Sequence, residues 1–71
     1  MRSDLTPSEL RTLKLIAKGL SAKEAGKLAG IAYDTIKDQM ASVYRRLGAS
    51  NAAHAVALAF VGGIIKPEDL Q

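Results

Sequence analysis

Ser21–Leu47, SAKEAGKLAGIAYDTIKDQMASVYRRL, decides the fold. Two helical patterns meet across the tight turn Ala29-Gly30-Ile31-Ala32, where Gly30 can take the left-handed backbone that a short turn demands. Ser21-Ala22-Lys23-Glu24 reads as a capping box, with a hydroxyl at the N-cap and a carboxylate three residues later. The helix it opens runs from about residue 22 to 29, and the next spans about Tyr33 to Leu47. At 100° per residue, Met40, Val43 and Leu47 all fall within about 40° of Ile36, which gives one narrow apolar seam. Asp34, Asp38, Ala41 and Arg45 lie on the opposite side, with Lys37 on one flank and Ser42 on the other. A helix with one dry face and one polar face, held by a short turn behind a second helix, is a helix-turn-helix.

The flanking segments supply the rest of a small helical domain. Thr6-Pro7-Ser8-Glu9 is a second capping box with proline at the first helical position, so a helix over about 7–18 precedes the motif. Leu10, Leu13, Ile16 and Leu20 are spaced to face a core, while Arg11, Lys14 and Lys18 share a different face. Gly48 ends the long helix, and Ser50-Asn51 caps a fourth over about 51–61. That fourth helix is apolar on almost every side, since His54 is its one polar residue between Ala52 and Val61. Its surplus apolar surface predicts a homodimer joined through Val56, Ala59 and Phe60. The alternative is that Ile64, Ile65 and Leu70 fold back and cover it within one chain. The expected architecture is all-α, four helices in one domain over 1–71 with its core at 5–65, and no wing.

Composition narrows the function. A chain of 71 residues holds one modest core and leaves little room for a deep catalytic cleft, so an enzyme is not expected. There is no cysteine, and His54 stands alone, which speaks against a metal site, a catalytic base or a bound cofactor. The apolar stretch 52–65 is too short to span a membrane and is broken by Gly62 and Gly63, and Met1-Arg2-Ser3-Asp4 does not open a signal peptide. The reading is a cytoplasmic, nucleoid-associated protein. Net charge is +3, yet residues 11–46 carry eight basic side chains against three acidic ones, and the flanks are slightly acidic. Basic charge thus gathers on the segment that would meet a phosphate backbone, although exposed lysines also serve solubility alone. A helix-turn-helix with that charge implies double-stranded DNA as the partner, with the second helix of the motif in the major groove.

The residues resemble a known family. Leu5-Thr6-Pro7-Ser8-Glu9, Leu15-Ile16-Ala17-Lys18-Gly19-Leu20-Ser21, Lys23-Glu24, Gly30-Ile31, Thr35-Ile36-Lys37, Leu47-Gly48-Ala49-Ser50-Asn51 and Ala55-Val56-Ala57-Leu58-Ala59 look like the LuxR/GerE-type helix-turn-helix domain. The agreement covers about 5–65 in order and spacing. Region 4 of bacterial sigma factors opens similarly but lacks the Leu47-to-Val56 continuation. The resemblance implies a four-helix DNA-binding domain whose third helix reads bases and whose fourth often dimerises. With Met1 just ahead of the motif, the chain is similar to the stand-alone GerE-like regulators, the alternative being the C-terminal domain of a larger regulator of the same family.

That resemblance also assigns residues. Positions matching Lys37, Asp38 and Ala41 commonly contact bases in the family; here Lys37 suits guanine, Asp38 a cytosine amino group, and Ala41 a thymine methyl. Asp38 has the competing role of an acid near the positive end of its helix, and Asp34 is read that way. From charge and position, Lys23, Lys27, Arg45 and Arg46 are read as phosphate contacts, the alternative being simple solvation; the resemblance adds Thr35, whose alternative is a hydroxyl bonded to its own backbone. Tyr33 and Tyr44 are candidates for sugar-phosphate contact, with packing against the fourth helix the favoured role for Tyr44. Ala25, Gly26 and Ala29 stand where the family usually has bulkier groups, which suggests a loosened second helix with Leu28 compensating by rotated packing. A helical glycine costs about 0.5–1 kcal/mol relative to alanine. His54 replaces the glutamate or glutamine usual at its cap position. The rival reading, prompted by two acids on the reading face, is a protein-interaction module that pairs with a larger regulator or RNA polymerase and binds DNA weakly or not at all.

Overall fold

The third helix packs against each of the other three, and the order of elements follows from how each one is capped. The computed structural model describes residues 5–71, so Arg2 and Asp4 of the N-terminal flank lie outside the described residues. Four helices, α1 (Pro7–Ala17), α2 (Ala22–Ala29), α3 (Tyr33–Leu47) and α4 (Ala52–Val61), are followed by a short 3-10 turn, Pro67–Leu70. There is no strand among the described residues, so the fold is all-α without a wing.

Both capping boxes form. The Thr6 hydroxyl accepts the Glu9 N–H at 3.1 Å while Glu9 Oε1 accepts the Thr6 N–H at 3.0 Å. Ser21 and Glu24 make the same reciprocal pair at 3.1 and 2.8 Å, which satisfies donors that a helix start would leave bare. The helix α1 stops at Ala17, one residue short of expectation, because the Lys18 N–H is shared between the Lys14 and Leu15 carbonyls in a tightened last turn. Asn51 caps α4 by accepting the His54 N–H at 2.9 Å. His54 does part of the work of the missing glutamate, since its Nδ1 accepts the Ser50 N–H at 3.0 Å.

The core is built on α3. Ile36, Met40 and Val43 of the expected seam are buried, with Leu47 half-buried at its end. Leu13 of α1, Ala55 and Ala59 of α4, and Ile65 beyond α4 join Met40 and Val43 in one cluster. Leu10, Ile16 and Leu20 are half-buried, so Leu13 alone of the α1 set is fully enclosed. Each large side chain enclosed in this way contributes roughly 1.5–3 kcal/mol.

Three expectations change at this level. Ala59, read as a dimer contact, is 0% exposed inside the chain's own core. A helix this apolar still has one side facing α1 and α3, and the small Ala55 and Ala59 are what allow it to sit close. Ile64 and Ile65 donate to the Ala59 carbonyl at 2.8 and 3.3 Å, Ile65 is fully buried, and Ile64 and Leu70 pack beside it. Lys14 pairs with Asp69 at 3.6 Å and fastens this tail to α1. The folding-back of residues 64, 65 and 70 therefore takes up part of the apolar surface that was assigned to a partner.

Gly26 is the third correction. Its carbonyl accepts the Ile31 N–H at 2.8 Å, and a Cβ on it would lie 2.6 Å from the Ile31 carbonyl oxygen. A bare Cα is what lets the turn fold back onto α2, so Gly26 tightens the motif where a loosened helix was expected. Leu28 does not compensate by packing inward, being 69% exposed.

Candidate nucleic-acid interface

The turn sets the direction of α3. Gly30 ends α2 at φ +71°, and the Ile31 N–H bond to Gly26 then carries the chain directly into Ala32 and Tyr33. Ala32 offers no side-chain acceptor, so the first N–H groups of α3 are not capped by a side chain. On the far side of the helix from the seam, Asp34, Thr35, Lys37, Asp38, Ala41 and Arg45 are all exposed. Lys23 and Lys27 of α2 are exposed too, and they border an open groove lined by Gly26, Gly30, Ile31 and Tyr33 at the start of α3. Lysines 23 and 27 thus lie along one edge of the motif with Tyr33, whose ring Lys37 approaches from one turn along α3, and the acids Asp34 and Asp38 lie along the face beside it.

The other edge of α3 is committed to α1. The Ser42 hydroxyl donates to Glu9 Oε2 at 2.6 Å, and Arg46 Nε lies 3.2 Å from Glu9 Oε1. The Thr12 hydroxyl bonds the Gln39 side-chain oxygen one turn along. Ser42, which periodicity puts on a flank of the polar face, is half-buried and turned to α1 because Glu9, only 7% exposed, needs donors for both carboxylate oxygens. Those donors hold the Glu9 carboxyl below its ordinary value: first the Ser42 hydroxyl, then the Thr6 N–H, with the Arg46 charge adding less. Arg46, assigned to a phosphate, is engaged with this carboxylate.

Two features escaped the sequence reading. Lys37 Nζ sits 5.2 Å from the centre of the Tyr33 ring, a cation–π contact at i, i+4 spacing that a scan for same-face pairs could have found. The Glu9–Ser42 bond spans 33 positions and leaves no local signal. Tyr44 is half-buried and packs on the core cluster that includes α4 residues. On α4 itself, Val56 and Phe60 are half-buried against the core, while Val61 is 88% exposed. Ala53 and Ala57 are exposed at the same four-residue spacing as Val61.

The surface so built has exposed polar side chains along one helix and a basic edge beside them, which suits contact with an extended polyanion. No helix among the described residues is long and apolar enough to cross a membrane. Comparison with known proteins agrees with the geometry. Residues 3–59 match the family described as bacterial regulatory proteins, luxR family, with the GerE domain. The chain is 38% identical over 63 residues to the transcriptional regulatory protein YdfI of Bacillus subtilis, covering 89% of this chain and 30% of that protein. It is 41% identical over 63 residues to the transcriptional activator protein BjaR1 of Bradyrhizobium diazoefficiens, covering 89% of this chain and 26% of the relative. Against the transcriptional activator protein VanR of Vibrio anguillarum it is 33% identical over 66 residues, 93% of this chain and 28% of the other. The chain therefore spans less than a third of the length of these relatives. It belongs to the luxR family of bacterial regulatory proteins, and its four helices are that family's DNA-binding helix-turn-helix domain, a unit of transcription regulation and not an enzyme.

Proposed function

We propose that the chain binds double-stranded DNA sequence-specifically, with α3 in the major groove and a second copy of the chain on the neighbouring half-site. The observation that carries this reading is the run of exposed side chains on α3, Lys37, Asp38, Ala41 and Arg45, on the side of the helix away from its buried seam. Lys37 and Asp38 supply a donor and an acceptor for base edges, and Ala41 a methyl for thymine. Lys23, Lys27, Thr35 and Arg45 engage phosphates, which set the register of the helix on the duplex and provide most of the affinity. The second copy docks on the outer face of α4, Ala53, Ala57 and Val61, beside the half-buried Val56 and Phe60. Half-sites then lie about one helical turn, roughly 10 bp, or a multiple of it apart. Such a protein works in the cytoplasm on the nucleoid and requires no cofactor.

The test is selection of bound sequences from a random duplex library, followed by anisotropy titration of the winner and of scrambled DNA at several salt concentrations. A two-fold symmetric motif bound tightly and with steep salt dependence is the expected result. Weak binding to all sequences alike would overturn it and favour the protein-interaction module.

A further inference from the structure

The reading face holds a conflict. Lys37 is flanked on α3 by Asp34, three residues before it, and by Asp38, both exposed and both able to draw its ammonium into a local pair that would blunt it for DNA. Yet among the described residues no ion pair joins Lys37 to either acid. Its Nζ rests 5.2 Å from the centre of the Tyr33 ring, one turn back on the side of the helix that faces the α2 lysines. Tyr33 is itself 45% exposed and lines the groove beside Lys23 and Lys27, so the lysine is drawn toward the basic edge and away from the acids.

We propose that Tyr33 is a positioning residue for base reading: its ring holds the Lys37 ammonium at the α2 side of the reading face and keeps it from being neutralised by Asp34 and Asp38. This rests on the DNA-binding reading given above. The chemistry fits the task. A ring face attracts the cation without the directional hydrogen bonds that a carboxylate would form. Lys37 can then leave the ring for a guanine edge without breaking a charge-assisted bond, while its stem stays restricted and less freedom is lost on binding. Asp38, left unpaired, keeps its oxygens free to accept from a cytosine amino group.

The experiment compares Tyr33→Leu, Tyr33→Phe, Lys37→Ala and the double variant Tyr33→Leu/Lys37→Ala, each checked for folding by circular dichroism. Two readouts are used: the Lys37 side-chain methylene shifts by NMR in the free protein, and affinity for the selected duplex against single-base variants of it. Wild type and Tyr33→Phe should show the upfield ring-current displacement of the Lys37 methylenes, and Tyr33→Leu should lose it. Tyr33→Leu should weaken binding to the selected duplex by about threefold to fivefold, the scale of an exposed cation–π contact, and relax preference at the base pair that Lys37→Ala also relaxes. In the Lys37→Ala background the same change should cost nothing further. Additive losses, or a Tyr33→Phe as weak as Tyr33→Leu, would overturn the proposal and assign Tyr33 a direct contact through its hydroxyl. So would unchanged discrimination in Tyr33→Leu while wild type still selects a motif, which leaves the DNA reading intact. If wild type selects no motif at all, the DNA reading fails and the positioning role falls with it.

Discussion

The Ser42 hydroxyl in the middle of α3 donates a 2.6 Å hydrogen bond to Glu9 Oε2 in the first turn of α1. The other oxygen of the same carboxylate accepts the Thr6 N–H and faces Arg46. One side chain thus caps α1 and ties it to the helix that carries the reading face. We expect Ser42→Ala to lower stability by about 1–3 kcal/mol, because it leaves a nearly buried carboxylate short of its shortest partner. Alanine is the better helix former, so local propensity predicts the opposite sign. Thermal unfolding decides between them, with about 4–8 °C of midpoint per kcal/mol in a domain of this size.

The same carboxylate makes stability depend on pH. Glu9 is held low chiefly by Ser42, Glu24 by the Ser21 N–H, and Asp69 by the Lys66 N–H. A depressed carboxyl in the folded state means that the unfolded chain binds more protons in acid. The contribution is therefore fully present above the ordinary values of 4.5 for glutamate and 3.8 for aspartate, and is lost as pH falls through the lower folded values. Urea unfolding should give a stability that changes little from about pH 7 to 5 and declines below that. Glu9→Gln should make the decline shallower; an unchanged slope would mean that Glu9 titrates alike in both states.

Gly26→Ala should destabilise the domain even though it replaces glycine within a helix. Propensity alone would give a gain of about 1 kcal/mol. The new Cβ would lie 2.6 Å from the Ile31 carbonyl oxygen, which is backbone and anchored by the turn. Relieving such an overlap costs about 1–3 kcal/mol, which offsets the propensity gain at its low end and exceeds it above that, so the expected net is a loss of up to about 2 kcal/mol. Denaturant midpoints read it directly, and a gain would show that the turn can shift away.

How far the sequence reaches is clearest at Gly26 and Glu9. The α3 seam, both capping boxes and the Gly30 turn are local, each set by steps of three to five positions along the chain, and periodicity and cap chemistry reveal them. By helix propensity alone Gly26 is a weakness; its value lies in the turn that returns to it from Ile31. Glu9 was visible as a cap residue, but its second role depends on a serine 33 positions away. Ala59 went astray for a related reason: on a helix apolar all round, no pattern says which side meets the core, and the answer comes from where α1, α3 and Ile65 sit. On the reading face, the identity and exposure of Lys37 and Asp38 are legible in the sequence, whereas the Tyr33–Lys37 ring contact depends on rotamers that spacing permits but does not fix.

The outer face of α4 gives a test of self-association. Val61 is 88% exposed beside exposed Ala53 and Ala57, so a charge there meets nothing within the chain. Val61→Glu should leave the unfolding midpoint of the dilute protein nearly unchanged while shifting sedimentation equilibrium from dimer to monomer. It should also weaken binding to a two-half-site duplex far more than to a single half-site. A wild-type chain that stays monomeric on the duplex would rule out pairing through this face.

The basic edge and the reading face should separate in a salt titration. Each phosphate contact removed lowers the slope of log affinity against log salt by about 0.9, and does so equally on every sequence. Lys23→Ala, Lys27→Ala and Arg45→Ala, whose side chains are exposed, should therefore each flatten the slope by about one while leaving the selected motif unchanged. Lys37→Ala and Asp38→Ala should do the reverse, altering the preferred base at one position each with a smaller change in slope. Arg46 divides the two kinds of role, because its guanidinium already faces Glu9 at 3.2 Å. A cation spent on a carboxylate has less to give a phosphate, so Arg46→Ala should lower the unfolding midpoint and change the salt slope by less than any of the other three. If instead it flattens the slope as much as Lys23→Ala with no loss of stability, the pair with Glu9 opens on DNA and Arg46 returns to the phosphate-binding set.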